Sequence, residues 1–173
     1  MEQPAELLRQ FANGEVEAFE GLFRQFQGEV FRWTVRIVRD RGVAEDLTIE
    51  TFWRIHRAHA RFDPERSFAA WARRIATNTA LDYLKKSRME VPLPEDLPAA
   101  TAPDPGVQQD VRERVNRAFR QLPAKLRVAA TLALIEEEPY QEIADALGIS
   151  VGAAKLRVFR AVRLLRKKLE IVL

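Results

Sequence analysis

Residues 138–170, EPYQEIADALGISVGAAKLRVFRAVRLLRKKLE, are the stretch on which the fold reading turns. Pro139 suits the opening of a short helix, Ile143, Ala144 and Leu147 give that helix an inner apolar face, and Gly148 offers the left-handed backbone position that ends it. Ile149 plugs the turn. Ser150 can cap a second helix that is expected to run through Leu169, about 30 Å at 1.5 Å per residue. A short helix, a glycine turn and a long helix make a helix-turn-helix.

Placing the second helix at about 100° per residue puts Ala154, Val158, Ala161 and Leu165 on one side. Leu156, Phe159, Arg160, Arg163 and Lys167 fall opposite, with Lys155 and Arg157 flanking them. A purely solvated face has little use for Leu and Phe, whereas a DNA groove offers thymine methyls and sugar edges to apolar side chains, and guanine and phosphate to arginine. A protein-docking face is the competing reading. Charge favours a polyanion: residues 109–173 carry 13 basic and 8 acidic side chains, although the whole chain is only +3.

Moving toward the N-terminus, five of the nine prolines, Pro92, Pro94, Pro98, Pro103 and Pro105, fall in RMEVPLPEDLPAATAPDPGVQQ, which also turns acidic. Proline removes an amide donor and biases its predecessor toward extended backbone, so this stretch reads as a flexible linker with a reach of up to about 70 Å. Before it, Phe19, Leu22, Phe26, Val30 and Ile37 recur at helical spacing. Leu47, Thr51, Ile55 and Ala58 continue the pattern, and Phe68, Trp71, Ile75 and Thr79 begin a third stripe. Gly42 and the segment Phe62 to Ser67 punctuate these stripes, with Ser67 as a helix cap. Phe19, Phe23, Phe26 and Phe31 read as core. The predicted fold is all-α: two small helical domains, residues 1–87 and 109–173, joined by a linker at 88–108.

Several functions are excluded or disfavoured. The 173 residues contain no Cys, so disulfide scaffolds, thiol nucleophiles and Cys-ligated metal sites are out. His56 and His59, three apart on a helix, lack a matching acidic partner and read as surface histidines, so no metal or other cofactor is expected. The seven glycines form no phosphate-cradling loop, and no catalytic dyad or carboxylate pair stands out, so the chain does not read as an enzyme. The apolar run from Val128 to Ile135 is too short to span a membrane, and MEQPAELLRQ shows no leader, so a soluble cytoplasmic protein is expected.

Taken together, the two blocks resemble sigma factors of the extracytoplasmic-function (ECF) class, bacterial subunits that direct RNA polymerase to promoters. VAEDLTIETFWRIHRA is similar to the family's region 2.2 helix, SFAAWARRIATNTALDYLKKSR to its region 2.3–2.4 helix, and residues 122–169 to its region 4. The resemblance implies that Asp46, Leu47, Ile49, Glu50 and Phe52 dock on core polymerase at the β′ clamp helices, with region 4 meeting the β flap. Ile49 stands where Gln is usual. It implies that Phe62, Arg74, Thr77, Asn78, Leu81 and Lys85 serve the promoter −10 element, Phe62 lining a pocket for an extruded base. Lys155, Leu156, Arg157, Phe159, Arg160 and Arg163 would serve the −35 element, with Leu156 replacing a common Ser. Glu136-Glu137-Glu138-Pro139 replaces a usual Gly-Leu-Ser lead-in. The acids Glu90, Glu95, Asp96 and Asp104 resemble an anionic connector running through the polymerase, and an anti-sigma factor is a further implied partner. A stand-alone helix-turn-helix regulator is the alternative.

Overall fold

In the computed structural model, backbone is described for residues 4–90 and 107–170, and side chains for 4–87 and 109–169. Every regular element among them is helical: α1 Ala5–Ala12, α2 Val16–Val38, α3 Arg41–Arg57, a 3-10 turn at His59–Arg61, α4 Phe68–Glu90, α5 Val107–Arg120, α6 Ala124–Leu134, α7 Tyr140–Leu147 and α8 Val151–Glu170. The all-α expectation holds, and the chain forms two compact units.

In the N-terminal helices, α2 buries Leu22, Phe26, Val30 and Ile37 of the anticipated stripe, together with Trp33, whereas Phe19, Phe23 and Phe31, read as core, are only half-buried. Phe11 of α1 is 1% exposed and sits within 5.5 Å of the Phe68 ring and 5.7 Å of the Phe62 ring, centroid to centroid. Such ring pairs add about 0.5–1.5 kcal/mol each beyond burial itself, so they fix the start of α4 against α1. Ser67 caps α4 as anticipated, its Oγ accepting from Ala70 N at 3.2 Å. Trp33 Nε1 donates to Thr77 Oγ1 at 2.9 Å, a buried hydrogen bond that ties α2 to α4.

The break between α2 and α3 differs from the sequence reading. It falls at Arg39, whose φ of 57° is left-handed, and at Asp40, whose carboxylate accepts from Val43 N at 3.0 Å. Gly42 lies inside the first turn of α3 instead. Helix α4 continues through Glu90 and α5 begins at Val107, each reaching a few residues into the stretch read as linker, whose residues 91–106 lie outside the described residues.

Among the C-terminal helices, Ala118, Phe119 and Leu122 pack with Ala130, Ala161 and Leu165 into one core, so α5, α6 and the long α8 support one another. Tyr140 begins α7, one residue after Pro139. Gly148 has φ +63°, a backbone that L side chains rarely adopt, and ends α7. Ser150 then accepts from Ala153 N at 3.1 Å and caps α8.

Candidate nucleic-acid interface

The outer face of α8 is built on its inner one. Ala154, Val158, Ala161 and Leu165 are all buried, so the helix is held by four side chains on one side and its opposite side is turned to solvent. There Leu156 is 47% and Phe159 65% exposed, beside exposed Lys155, Arg160, Arg163 and Lys167, while Arg157 is half-buried. Among the described residues no carboxylate lies within 4.0 Å of Arg157, Arg160, Arg163 or Lys167, so their charge is available to a polyanion. Lys168 is different, its Nζ donating to Gln121 Oε1 at 2.8 Å, which fastens the helix to the turn after α5. Lys155 is placed by α7: its Nζ stands 5.7 Å from the centre of the Tyr140 ring, within cation–π range. Sequence reasoning did not single out Tyr140, although its position as the first residue of the short helix was the available signal.

The structure divides the six side chains assigned to the −10 element, five of them on α4 and Phe62 in the segment before it. Arg74 and Lys85 are exposed and Asn78 is half-buried. Thr77, Leu81 and Phe62 are not on that surface, at 0%, 8% and 5% exposure. Thr77 turns inward because the Trp33 indole supplies the partner its hydroxyl needs. Phe62 turns inward because Phe11, Phe68 and Trp71 form an apolar nest for it, the Trp71 centroid lying 5.0 Å away. The ring therefore fills the core and leaves no pocket wall for an extruded base.

The α3 surface is divided in the same way. Asp46 is exposed and Ile49 is 51% exposed, but Leu47 and Phe52 are buried at 8% and 2%. Phe52 packs edge-on to Phe23 at 4.8 Å and to Phe19 at 6.4 Å, so it belongs to the α2–α3 contact and not to an outer patch. The exposed apolar neighbour of Ile49 is Trp53, 57% exposed and one turn further on. Asp46, Ile49, Glu50, Trp53 and Arg57 follow helical spacing, a stripe legible in the sequence once Trp53 is included. Glu50 is already engaged: Arg54 Nε lies 2.9 Å and Arg57 Nη2 3.7 Å from its Oε1.

His56 and His59 are half-buried, which corrects their reading as surface residues. The Phe19 ring lies 4.9 Å from that of His56, and His59 Nδ1 is 3.1 Å from the Ala12 carbonyl oxygen, joining the 3-10 turn to the end of α1. No group of three or more His, Asp or Glu side chains among the described residues is arranged to hold a metal ion. No described helix is long and apolar enough to cross a membrane. The side chain of Glu90 and all of Glu95, Asp96 and Asp104 lie outside the described residues.

Comparison with known proteins places both halves of the chain in one family. Residues 22–89 match the Sigma-70 region 2 family and residues 112–165 match Sigma-70, region 4. The chain is 35% identical over 166 residues to RNA polymerase sigma factor CarQ of Myxococcus xanthus, covering 94% of this chain and 95% of that protein. It is 30% identical to the RNA polymerase sigma-H factor of Pseudomonas aeruginosa, over 98% and 95% of the two chains. Among solved structures, CnrH in complex with the cytosolic domain of CnrY superposes with a TM-score of 0.65 at 25% identity, covering 96% of this chain and 97% of that one. The sigma factor RpoE of Bartonella quintana shares the fold, with a TM-score of 0.62 at 21% identity, covering 90% and 99%. Two family matches in the expected order, together with relatives at 30% identity or more aligned almost end to end, establish that the chain belongs to the ECF group of the sigma-70 family.

Proposed function

We propose that the chain is an alternative sigma subunit that seats on core RNA polymerase, recognises the −10 and −35 promoter elements and helps open the duplex in the cytoplasm. The observation that carries this reading is α8: an apolar and cationic outer face, with Leu156, Phe159, Arg160 and Arg163 exposed over a fully buried inner ridge. Phosphate contacts from Lys155, Arg157 and Arg163 position the helix, and base contacts fall to Leu156, Phe159 and Arg160. Residues 1–87 form the polymerase-binding and −10 domain, residues 109–173 the −35 domain, and 88–108 the connector. On α4 the DNA-facing groups are Arg74, Asn78 and Lys85, while Thr77, Leu81 and Phe62 keep that helix in place. Asp46, Ile49 and Glu50 meet the clamp helices, joined by Trp53, and the polymerase supplies all the chemistry. Restraint by an anti-sigma factor belongs to the same reading, and the CnrH–CnrY complex, in which a similar chain is held by a cytosolic domain, supports it.

A gel shift of promoter DNA with and without core polymerase tests this function. The sigma reading requires weak binding by the chain alone and a stable complex once core is added. Tight binding to a palindromic site by the chain alone would establish the stand-alone regulator instead. Within the holoenzyme, Arg160→Ala is expected to weaken use of the −35 element and leave the affinity for core unchanged.

A further inference from the structure

Leu156 and Phe159 are the two most conspicuous apolar side chains on the outer face of α8, at 47% and 65% exposure. Nothing in the core calls for either, since Ala154, Val158, Ala161 and Leu165 already seat the helix. Three residues of α-helix separate them by about 4.5 Å along the axis, close to the roughly 3.4 Å step between bases on one strand. Gly152, one turn before Leu156, extends the same face: a Cβ there would meet nothing nearer than Ser150 Oγ at 4.0 Å, so the start of α8 can approach a groove floor closely. Leucine and phenylalanine side chains carry no hydrogen-bond donor or acceptor. The one apolar group on the major-groove edge of a base pair is the thymine methyl. The amino group of cytosine, pressed against Leu156, would lose water and gain no partner.

Resting on the −35 assignment of α8, we propose that Leu156 and Phe159 read the C5-methyl groups of neighbouring thymines, so that this part of the element is chosen by apolar contact. Arg160, beside them, and Lys155, placed by Tyr140, supply the polar contacts that set the register. Apolar selection of this kind distinguishes thymine from uracil, which presents the same hydrogen-bonding groups without the methyl.

The test uses holoenzyme assembled from the full chain and bacterial core polymerase. Sites are first selected from promoter DNA randomised across the −35 element, and each thymine of the selected site is then replaced in turn by deoxyuridine. At two neighbouring positions each replacement is expected to weaken binding about fourfold, corresponding to about 0.8 kcal/mol per buried methyl-sized group. With Leu156→Ser the penalty disappears at one of those positions and persists at the other. Selected sites without neighbouring thymines, or an unchanged affinity on every replacement, would overturn the proposal while leaving the −35 assignment intact. Selection that yields no −35 preference at all would overturn the assignment itself.

Discussion

Replacing Thr77 by Val separates two roles for one side chain. Polarity and helical position place Thr77 on a DNA-facing strip, yet the structure buries it completely, with Trp33 Nε1 donating to its Oγ1 at 2.9 Å. Valine keeps the shape and removes the acceptor. The indole N–H then has no partner in a site where Trp33 is only 6% exposed and its ring lies 4.2 Å beneath the Arg73 guanidinium, so it cannot simply swing out to water. A buried donor left unsatisfied costs about 1–3 kcal/mol. With a urea dependence of about 2 kcal/mol per molar, the unfolding midpoint of the N-terminal helices is expected to fall by roughly 0.5–1.5 M. Thr77→Ser, which keeps the hydroxyl, should retain most of the lost stability. Urea titration followed by tryptophan fluorescence measures the effect, and promoter opening assayed well below the transition should be unchanged. An unaltered midpoint accompanied by loss of −10-dependent opening would refute the structural role and return Thr77 to the DNA surface.

Glu137, exposed and held at φ 53°, is expected to gain about 1 kcal/mol of stability on replacement by Gly, measured as a raised thermal midpoint for the C-terminal helices. The paired change Ile49→Ser and Trp53→Ser should lower the affinity for core polymerase in a titration while moving the melting temperature little, because both side chains are more than half exposed. Asp46→Ala with Glu50→Ala should weaken core binding less than that apolar pair, since Glu50 is already matched by Arg54 and Arg57. Gly152→Ala should stabilise α8 by about 0.5–1 kcal/mol in denaturant yet weaken −35 binding, because a methyl would occupy the space open for close approach.

The helix-turn-helix was legible because everything that defines it is local. A 3.6-residue period, a glycine at φ +63° and a serine that caps the next helix all act within a few residues of one another. The inner and outer faces of α8 therefore follow from residue order alone. The N-terminal site was less legible for the opposite reason. Thr77 is satisfied by a residue 44 positions away, and Phe62 by a nest assembled from α1 and α4, so neither orientation can be derived from its own helix. Phe52 illustrates the same limit: alternation along α3 marks it as apolar, but only the position of Phe19 and Phe23 on α2 decides that it faces inward. The Arg39 break had no glycine to announce it, since left-handed backbone at a non-glycine residue is set by the packing on either side.

The grip of Arg54 and Arg57 on Glu50 alters what kind of reaction docking on a basic partner can be. In the proposed docking the acid would trade one set of cations for another, so the exchange would contribute little net attraction and serve chiefly to align the two surfaces. In the proposed docking on core polymerase, durable attachment would then depend on covering the indole of Trp53 and the branched chain of Ile49, both more than half exposed. Association driven in this way carries a negative heat-capacity change, and calorimetry at several temperatures would register it as a binding enthalpy that grows more favourable on warming.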